Sequence, residues 1–326
     1  VADLQEVFRM SAGVEKKLVR QHFDRHARNY DRYARVQHEL ADRLLEKIDR
    51  RAERGAILEI GCGTGYLTAQ MARLFPQAGI TALDFAPAML ETARQRITDN
   101  AGVAFRLADV EDLADNELAA WGFFDLVISN ATFQWFNHPE ETLRKLAQVL
   151  RPGGQYLFST FGAGTFPELR AAFEEATSGS DEQWRHGPRL LPAAFWSRAV
   201  EQAGLRLMHT DVRQIRVFYP SVLELLQAVK HTGANNAATG AVVCRRPSVV
   251  RHMLEIYRRR FSVGEQIYAT YEVVCVSGCK EATAHSLKSR AMPESVLPVK
   301  AGIQCFQAIG KEKKRLSAEG FGMRSR

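Results

Sequence analysis

The chain predicts an α/β fold, a doubly wound and mostly parallel sheet of seven strands with helical inserts above it, on three observations. Residues 56–65, Ala-Ile-Leu-Glu-Ile-Gly-Cys-Gly-Thr-Gly, carry a short apolar run through an acid into three glycines at alternate positions. Four more strand-like apolar runs follow before residue 162, alternating with helical stretches, the pattern of parallel βαβ units. Two further runs, near Leu205–Val217 and Tyr268–Val276, enclose a second helical insert and complete the sheet.

Taken in order, Ile57, Leu58 and Ile60 fit a buried strand, and Gly61, Gly63 and Gly65 a turn where backbone approaches a ligand more closely than a Cβ would allow. The stretch from Thr68 reads as a helix starting just after that turn, its free N–H groups suited to an anionic ligand group. Ile80–Asp84 is a second strand, ending in an acid where such folds bind ribose hydroxyls. Pro87 then opens a helix from its first turn. Val103–Leu107 is a third strand, followed by Asp109, Val110 and Glu111, and Phe124–Asn130 a fourth. Leu150–Gly154 reads as a turn and Gln155–Phe161 as the fifth strand.

Four zones result: a helical, highly charged cap (1–54), the glycine-turn core (55–162), inserts and closing strands of the same domain (163–280), and a tail without clear period (281–326), expected to be disordered. The net charge of +7 is uneven, because the tail carries nine Lys/Arg against four acids and leaves only +2 on residues 1–280. That near balance, with no aromatic-plus-basic RNA motif, argues against a nucleic-acid partner. No apolar run reaches about eighteen residues, so no membrane span is expected. No leader opens the chain, and the five cysteines lack paired metal spacing, so a cytoplasmic protein without a metal is expected. Residues 205–260 hold ten Lys/Arg against three acids, with Arg245, Arg246, Arg258, Arg259 and Arg260 densest. Lys16, Lys17 and Arg20 form a second basic group.

The glycine turn departs from G-x-G-x-x-G: its third glycine comes one residue early, and Glu59 precedes the first by two. With Asp84, Asp109-Val110 and Leu150-Arg-Pro-Gly-Gly154 in order, it resembles the Rossmann-like class I S-adenosylmethionine (SAM) methyltransferases. That resemblance implies SAM as cosubstrate, with Glu59, Gly61, Gly63, Gly65, Asp84, Phe85, Met89, Asp109, Val110 and Asn130 around it. Asn130-Ala-Thr-Phe stands where amino-methylating enzymes carry Asn-Pro-Pro-Tyr, favouring an oxygen or carbon acceptor.

Four segments narrow the resemblance: Phe23-Asp-Arg-His-Ala-Arg-Asn-Tyr-Asp31, Ser129-Asn-Ala-Thr-Phe-Gln-Trp135, Pro167-Glu-Leu-Arg170, and Val229-Lys-His-Thr-Gly-Ala-Asn-Asn236 with Tyr271-Glu-Val-Val. Over roughly residues 15–280 the chain resembles the malonyl-acyl-carrier-protein O-methyltransferases of biotin synthesis, which usually end soon after the last strand. The resemblance implies methyl transfer to the free carboxylate of a malonyl thioester, presented on acyl carrier protein or coenzyme A. A carboxyl with a pKa of about 4 is already ionised at neutral pH, so no general base is needed. Alignment, dehydration and only modest hydrogen bonding at the attacking oxygen are. Tyr30 and Asn130 are then the expected catalytic residues, Gln134 and Trp135 walls of the acyl pocket, and Arg170 and Lys230 holders of the carboxylate or the carrier's phosphate. The basic helix ending at Arg260 is the expected carrier-docking face. His22, His26 and His231 receive no catalytic role. Other readings stay open: a small-acid methyltransferase, an arginine-hydroxylating assembly factor sharing Phe161–Arg170, an RNA methyltransferase, and a non-catalytic SAM-binding protein.

Overall fold

The computed structural model describes residues 14–49, 55–97, 102–178, 188, 190–232 and 247–282. Nearly all of the tail expected to be disordered (283–326), together with Gly233–Asn236, Arg245 and Arg246, lies outside them. The strands are β1 (Ala56–Ile60), β2 (Gly79–Asp84), β3 (Val103–Leu107), β4 (Phe124–Ser129), β5 (Leu150–Phe161), β6 (Arg206–Tyr219), β7 (Ser262–Val263) and β8 (Gln266–Cys279). They form one sheet in the order β3-β2-β1-β4-β5-β8-β6, with β7 paired to β8 alone. Strands β1–β5 pair in parallel, and β8 inserts antiparallel between β5 and β6. The seven strands expected are all present, and the two-residue β7 is an addition.

Alternation along the central strands sends side chains to two cores. Ile57, Leu126, Ile128 and Leu157 face one, while Leu58, Ile60, Val127, Tyr156 and Phe158 face the other. The first face is covered by α3 (Arg35–Glu46), α4 (Tyr66–Leu74), α8 (Pro167–Ala176), α10 (Val222–His231) and α11 (Pro247–Arg260). The second is covered by α6 (Asp115–Ala119), α7 (Pro139–Gln148) and α9 (Ala193–Gln202), with Trp196 in edge-to-face contact with Phe133, Phe158 and Phe195. Among the described residues, no helix is long and apolar enough to cross a membrane.

The N-terminal zone is not one cap. Its α3 buries Val36, Leu40 and Leu44 in the first core. Its α1 (Lys16–His26) instead packs Val19 and Phe23 against Met89 of α5 (Pro87–Arg96) and against Trp135. A short 3₁₀ turn, Ala27–Asn29, and the four-residue α2 (Tyr30–Tyr33) connect them.

Several boundaries move. Helix α4 begins at Tyr66, two residues before Thr68, because left-handed Gly65 at φ 79° already supplies its N-cap. Leu150–Gly154 is not a free turn but the start of β5. A bulge lies in the pairing between Phe124 and Leu126, Gly153 N–H donates to the Lys280 carbonyl at 2.8 Å, and Lys280 N–H donates to Gly154 at 3.0 Å. The end of β8 thus draws the Pro-Gly-Gly segment into the sheet. The insert helices bury core surface as well: Leu169 and Phe173 of α8 meet Met253, Ile256 and Tyr257 of α11. Glu168 in the Pro-Glu-Leu-Arg motif is buried and accepts from the Thr270 N–H at 3.0 Å and from the Thr270 hydroxyl, tying α8 to β8.

Candidate active site

The site is built at the carboxyl ends of β1, β2 and β4, where a doubly wound sheet opens a crevice. Gly61, Gly63 and Gly65 all take left-handed φ angles of 69°, 54° and 79°. They differ in what surrounds them. A Cβ on Gly61 would lie 2.2 Å from Thr132 Oγ1, and one on Gly65 3.0 Å from Ala93 Cβ. A Cβ on Gly63 would meet nothing within 4 Å. The turn is therefore packed on both flanks and open at its middle.

The acid ending β2 braces this turn. Asp84 is buried and accepts from Gly63 N–H at 2.8 Å and from Ala86 N–H at 2.9 Å. Burial raises its carboxyl to about pKa 6 against those hydrogen bonds. Glu59, 1% exposed, accepts from the Thr68 hydroxyl at 2.6 Å, and burial raises it to about 8. At neutral pH Glu59 is then mostly protonated, which limits negative charge in the crevice.

The N-terminal segment closes the other side. Tyr30, Gln37 and His38 line a pocket with Glu59, Gly61–Thr64, Tyr66, Leu67 and Asn130. Burial first, and then Asp31 and Asp84, push the Tyr30 phenol far above its ordinary value, so it stays a neutral donor. Asp31 accepts from Thr64 Oγ1 of the glycine turn at 2.7 Å, lies 3.2 Å from His38 Nε2, and pairs with Arg96 at the end of α5. Burial works to raise the Asp31 carboxyl, but those three partners outweigh it and bring it to about 2. His38 also stacks on Tyr66 with ring centres 3.9 Å apart. Asn130 is fixed at both ends, its Nδ2 donating to the Gln37 carbonyl at 2.9 Å and its Oδ1 accepting from Ser159 at 2.7 Å. Ala131 follows with an uncommon φ of 50°, turning the chain away under the pocket.

The pocket thus gathers Tyr30, Glu59, Gly61, Gly63 and Asn130 of the residues named from sequence, with Asp84 one hydrogen bond behind Gly63. Gly65 caps α4. Met89 and Trp135 are buried against Phe23, with Phe85 at their edge. Gln134 is buried with its amide committed to the Ala131 carbonyl at 2.6 Å and to Thr160 Oγ1 at 3.0 Å. Val110 is core, and Asp109 pairs with Lys16 at 2.8 Å. Arg170 and Lys230 are exposed and not among the pocket's lining residues. Asp31, Gln37, His38 and Thr64 were not singled out as site residues. The signal available for Asp31 was its place directly after Tyr30 in the N-terminal motif. Of the expected docking arginines, Arg259 and Arg260 each contact Glu175 of α8 at 2.6 Å, and Arg258 makes no ion pair among the described residues. Among the described residues there is no group of three or more His, Cys, Asp or Glu that could hold a metal ion.

Residues 57–154 match a family model described as a methyltransferase domain. The malonyl-[acyl-carrier protein] O-methyltransferase of Anoxybacillus flavithermus is 39% identical over 266 residues, covering 81% of this chain and 97% of that protein. The protein of the same name from Acetivibrio thermocellus is 36% identical, covering 84% and 97%, and that from Bacillus cereus 38% identical, covering 82% and 98%. Among solved structures, the YcgJ protein from Bacillus subtilis superposes with a TM-score of 0.52 at 15% identity, covering 76% of this chain and 100% of that one. A putative methyltransferase from Bacillus halodurans gives 0.51 at 15% identity, covering 74% and 99%. Both of these share the fold.

Proposed function

The chain belongs to the malonyl-[acyl-carrier protein] O-methyltransferase family, and we propose that it moves a methyl group from SAM to the free carboxylate of a malonyl thioester on acyl carrier protein, the ester that primes the pimeloyl chain of biotin. The observation that carries this reading at the site is the pocket joining Tyr30, the glycine turn and Asn130, in a chain 39% identical over 97% of a relative of that name.

The residues present fit SAM. The open face of Gly63 leaves the backbone accessible where a Cβ would intrude, and Asp84 and Glu59 stand beside it. When bound, SAM supplies an electrophilic methyl on a sulfonium, so the acceptor needs only to be ionised and aligned. Glu59, Gly61, Gly63 and Asp84 would hold it, with Tyr30 closing from above. The neutral Tyr30 hydroxyl can donate one hydrogen bond to a substrate carboxylate without accepting its charge, which orients the nucleophile while leaving it reactive. The doubly anchored Asn130 amide keeps the floor beneath it rigid. Glu59, protonated near neutrality, avoids repelling the incoming anion.

Mass spectrometry of malonyl-acyl carrier protein after incubation with this protein and SAM tests the reading. A mass gain of one methyl group, reversed by ester hydrolysis, is expected. No gain from a protein that still binds SAM by calorimetry would overturn it.

A further inference from the structure

Helices α1, α2 and α10 meet at a surface whose chemistry the reaction itself does not use. The His22 ring contacts the Lys230 carbonyl, and the His22, His26 and His231 rings follow one another at 4.5 and 4.4 Å. Tyr33 stacks on His231 at 4.2 Å with the planes 6° apart. Tyr33 lies one helical turn after Tyr30, so this surface adjoins the pocket across α2.

Cations stand close to the rings. Arg25 and Lys230 are near enough to lower the basicity of His22 and His26, as are Arg32 and Lys230 for His231, burial being the larger cause each time. Arg25, Arg32 and Lys230 are exposed, and among the described residues none is within ion-pair distance of an acid. Several other cations are engaged: Lys16 with Asp109 and Glu111, Arg96 with Asp31, Arg259 and Arg260 with Glu175. Two ring nitrogens, His26 Nε2 and His231 Nδ1, are buried without a partner. Uncompensated positive charge beside an active site raises self-repulsion in the free protein and attracts an anionic partner.

We propose that this surface, with Arg25, Arg32 and Lys230 set around the histidine stack, is where the acidic carrier protein docks. The assignment rests on the function proposed above, and it is preferred to the α11 face that the sequence favoured, where Arg259 and Arg260 are already paired with Glu175. Its position beside α2 would let the carrier's arm reach the pocket past Tyr30. Electrostatic complementarity of this kind sets association rate and partner choice more than intrinsic turnover.

The test is the double reversal Arg25→Glu with Arg32→Glu, assayed on malonyl-acyl carrier protein, malonyl-coenzyme A and the small thioester malonyl-N-acetylcysteamine. KM for the carrier substrate is expected to rise by about tenfold or more and to lose its salt dependence. Turnover of the small thioester should change by less than about twofold, and the charge-keeping Arg25→Lys with Arg32→Lys variant should restore carrier use. Calorimetry with holo-carrier lacking the malonyl group should show the same loss of binding without any methyl transfer. Equal effects on all three substrates would overturn the proposal. An effect on coenzyme A as large as on the carrier would overturn it in favour of a phosphate site. A larger loss of carrier binding from Arg258→Glu would return the docking face to α11. If the unaltered protein methylates none of the three substrates, the function proposed above fails instead.

Discussion

Replacing Gly63 with alanine should separate stability from cofactor binding, because the three turn glycines are left-handed for different reasons. At Gly63 the added methyl meets no atom within 4 Å, so the fold bears only the strain of φ 54°. That strain is about 1–2 kcal/mol for an L-residue in the left-handed region. At Gly61 the same strain is joined by a 2.2 Å clash with Thr132 Oγ1 and a 2.6 Å clash with Cγ2, on a β-branched side chain with little freedom. Overpacking adds about 1–3 kcal/mol, so Gly61→Ala should cost about 2–5 kcal/mol in all.

The binding order differs from the stability order. Gly63 lines the pocket and an added methyl there would stand in open space where SAM would need the backbone, so SAM affinity should fall at least tenfold, about 1.4 kcal/mol. Urea unfolding ranks the stabilities and calorimetry with SAM measures binding. Gly63→Ala should be the more stable of the two and bind poorly. Native SAM affinity in Gly63→Ala would refute the assignment of the open face to the cofactor. Equal stability of the two variants would refute the steric ranking.

Glu59→Gln tests the buried acid. A carboxyl raised from 4.5 to about 8 in the folded state binds its proton more tightly there than when unfolded, so stability falls as pH rises between those values. Glu59→Gln should flatten that decline in denaturant unfolding at pH 5 to pH 8, and an unchanged slope would show that the carboxyl is ionised throughout. Asp31 has the opposite sign: lowered from 3.8 to about 2, it stabilises above the unfolded value, and that contribution is lost as pH falls toward 2. Asp31→Asn should remove this part of the acid transition and speed amide exchange in residues 27–33, and unaltered exchange would show that Asp31 does not hold the segment.

What was legible in the sequence was local. Ile57, Leu58 and Ile60 running into three alternate glycines specify a strand and its turn within ten residues, and Asp84 follows from the same pattern one strand on. What was not legible depends on partners far along the chain. Leu150–Gly154 joins the sheet because Lys280 reaches it, and nothing near residue 150 announces that. Trp135 meets Phe23 more than a hundred residues away, at 5.6 Å. Arg259 and Arg260 read as a free basic run until Glu175 is placed opposite them. His22 and His26 have visible helical spacing, but the third ring, His231, arrives only with α10. The Asp31 contacts with Thr64 and Arg96 are tertiary in the same way.

The demands of the proposed chemistry explain why so much of the site is assembled by the N-terminal segment. An ionised carboxylate needs no base, so the protein's task is to exclude water, align an in-line attack and avoid repelling an anion. A segment that closes after the substrates enter can do the first two, and Tyr30 and Asp31 are adjacent residues that face the pocket and grip the glycine turn. The third falls to burial, which raises Glu59 and Asp84 so that two acids beside the pocket carry less charge than they would in water. Tyr33, on the same short helix, stacks on His231 at the surface proposed for the carrier. One four-residue helix therefore touches the glycine turn, the pocket and the surface proposed for the carrier. Binding of a carrier that favours the closed arrangement of α2 would raise SAM affinity by the same factor by which SAM raises carrier affinity.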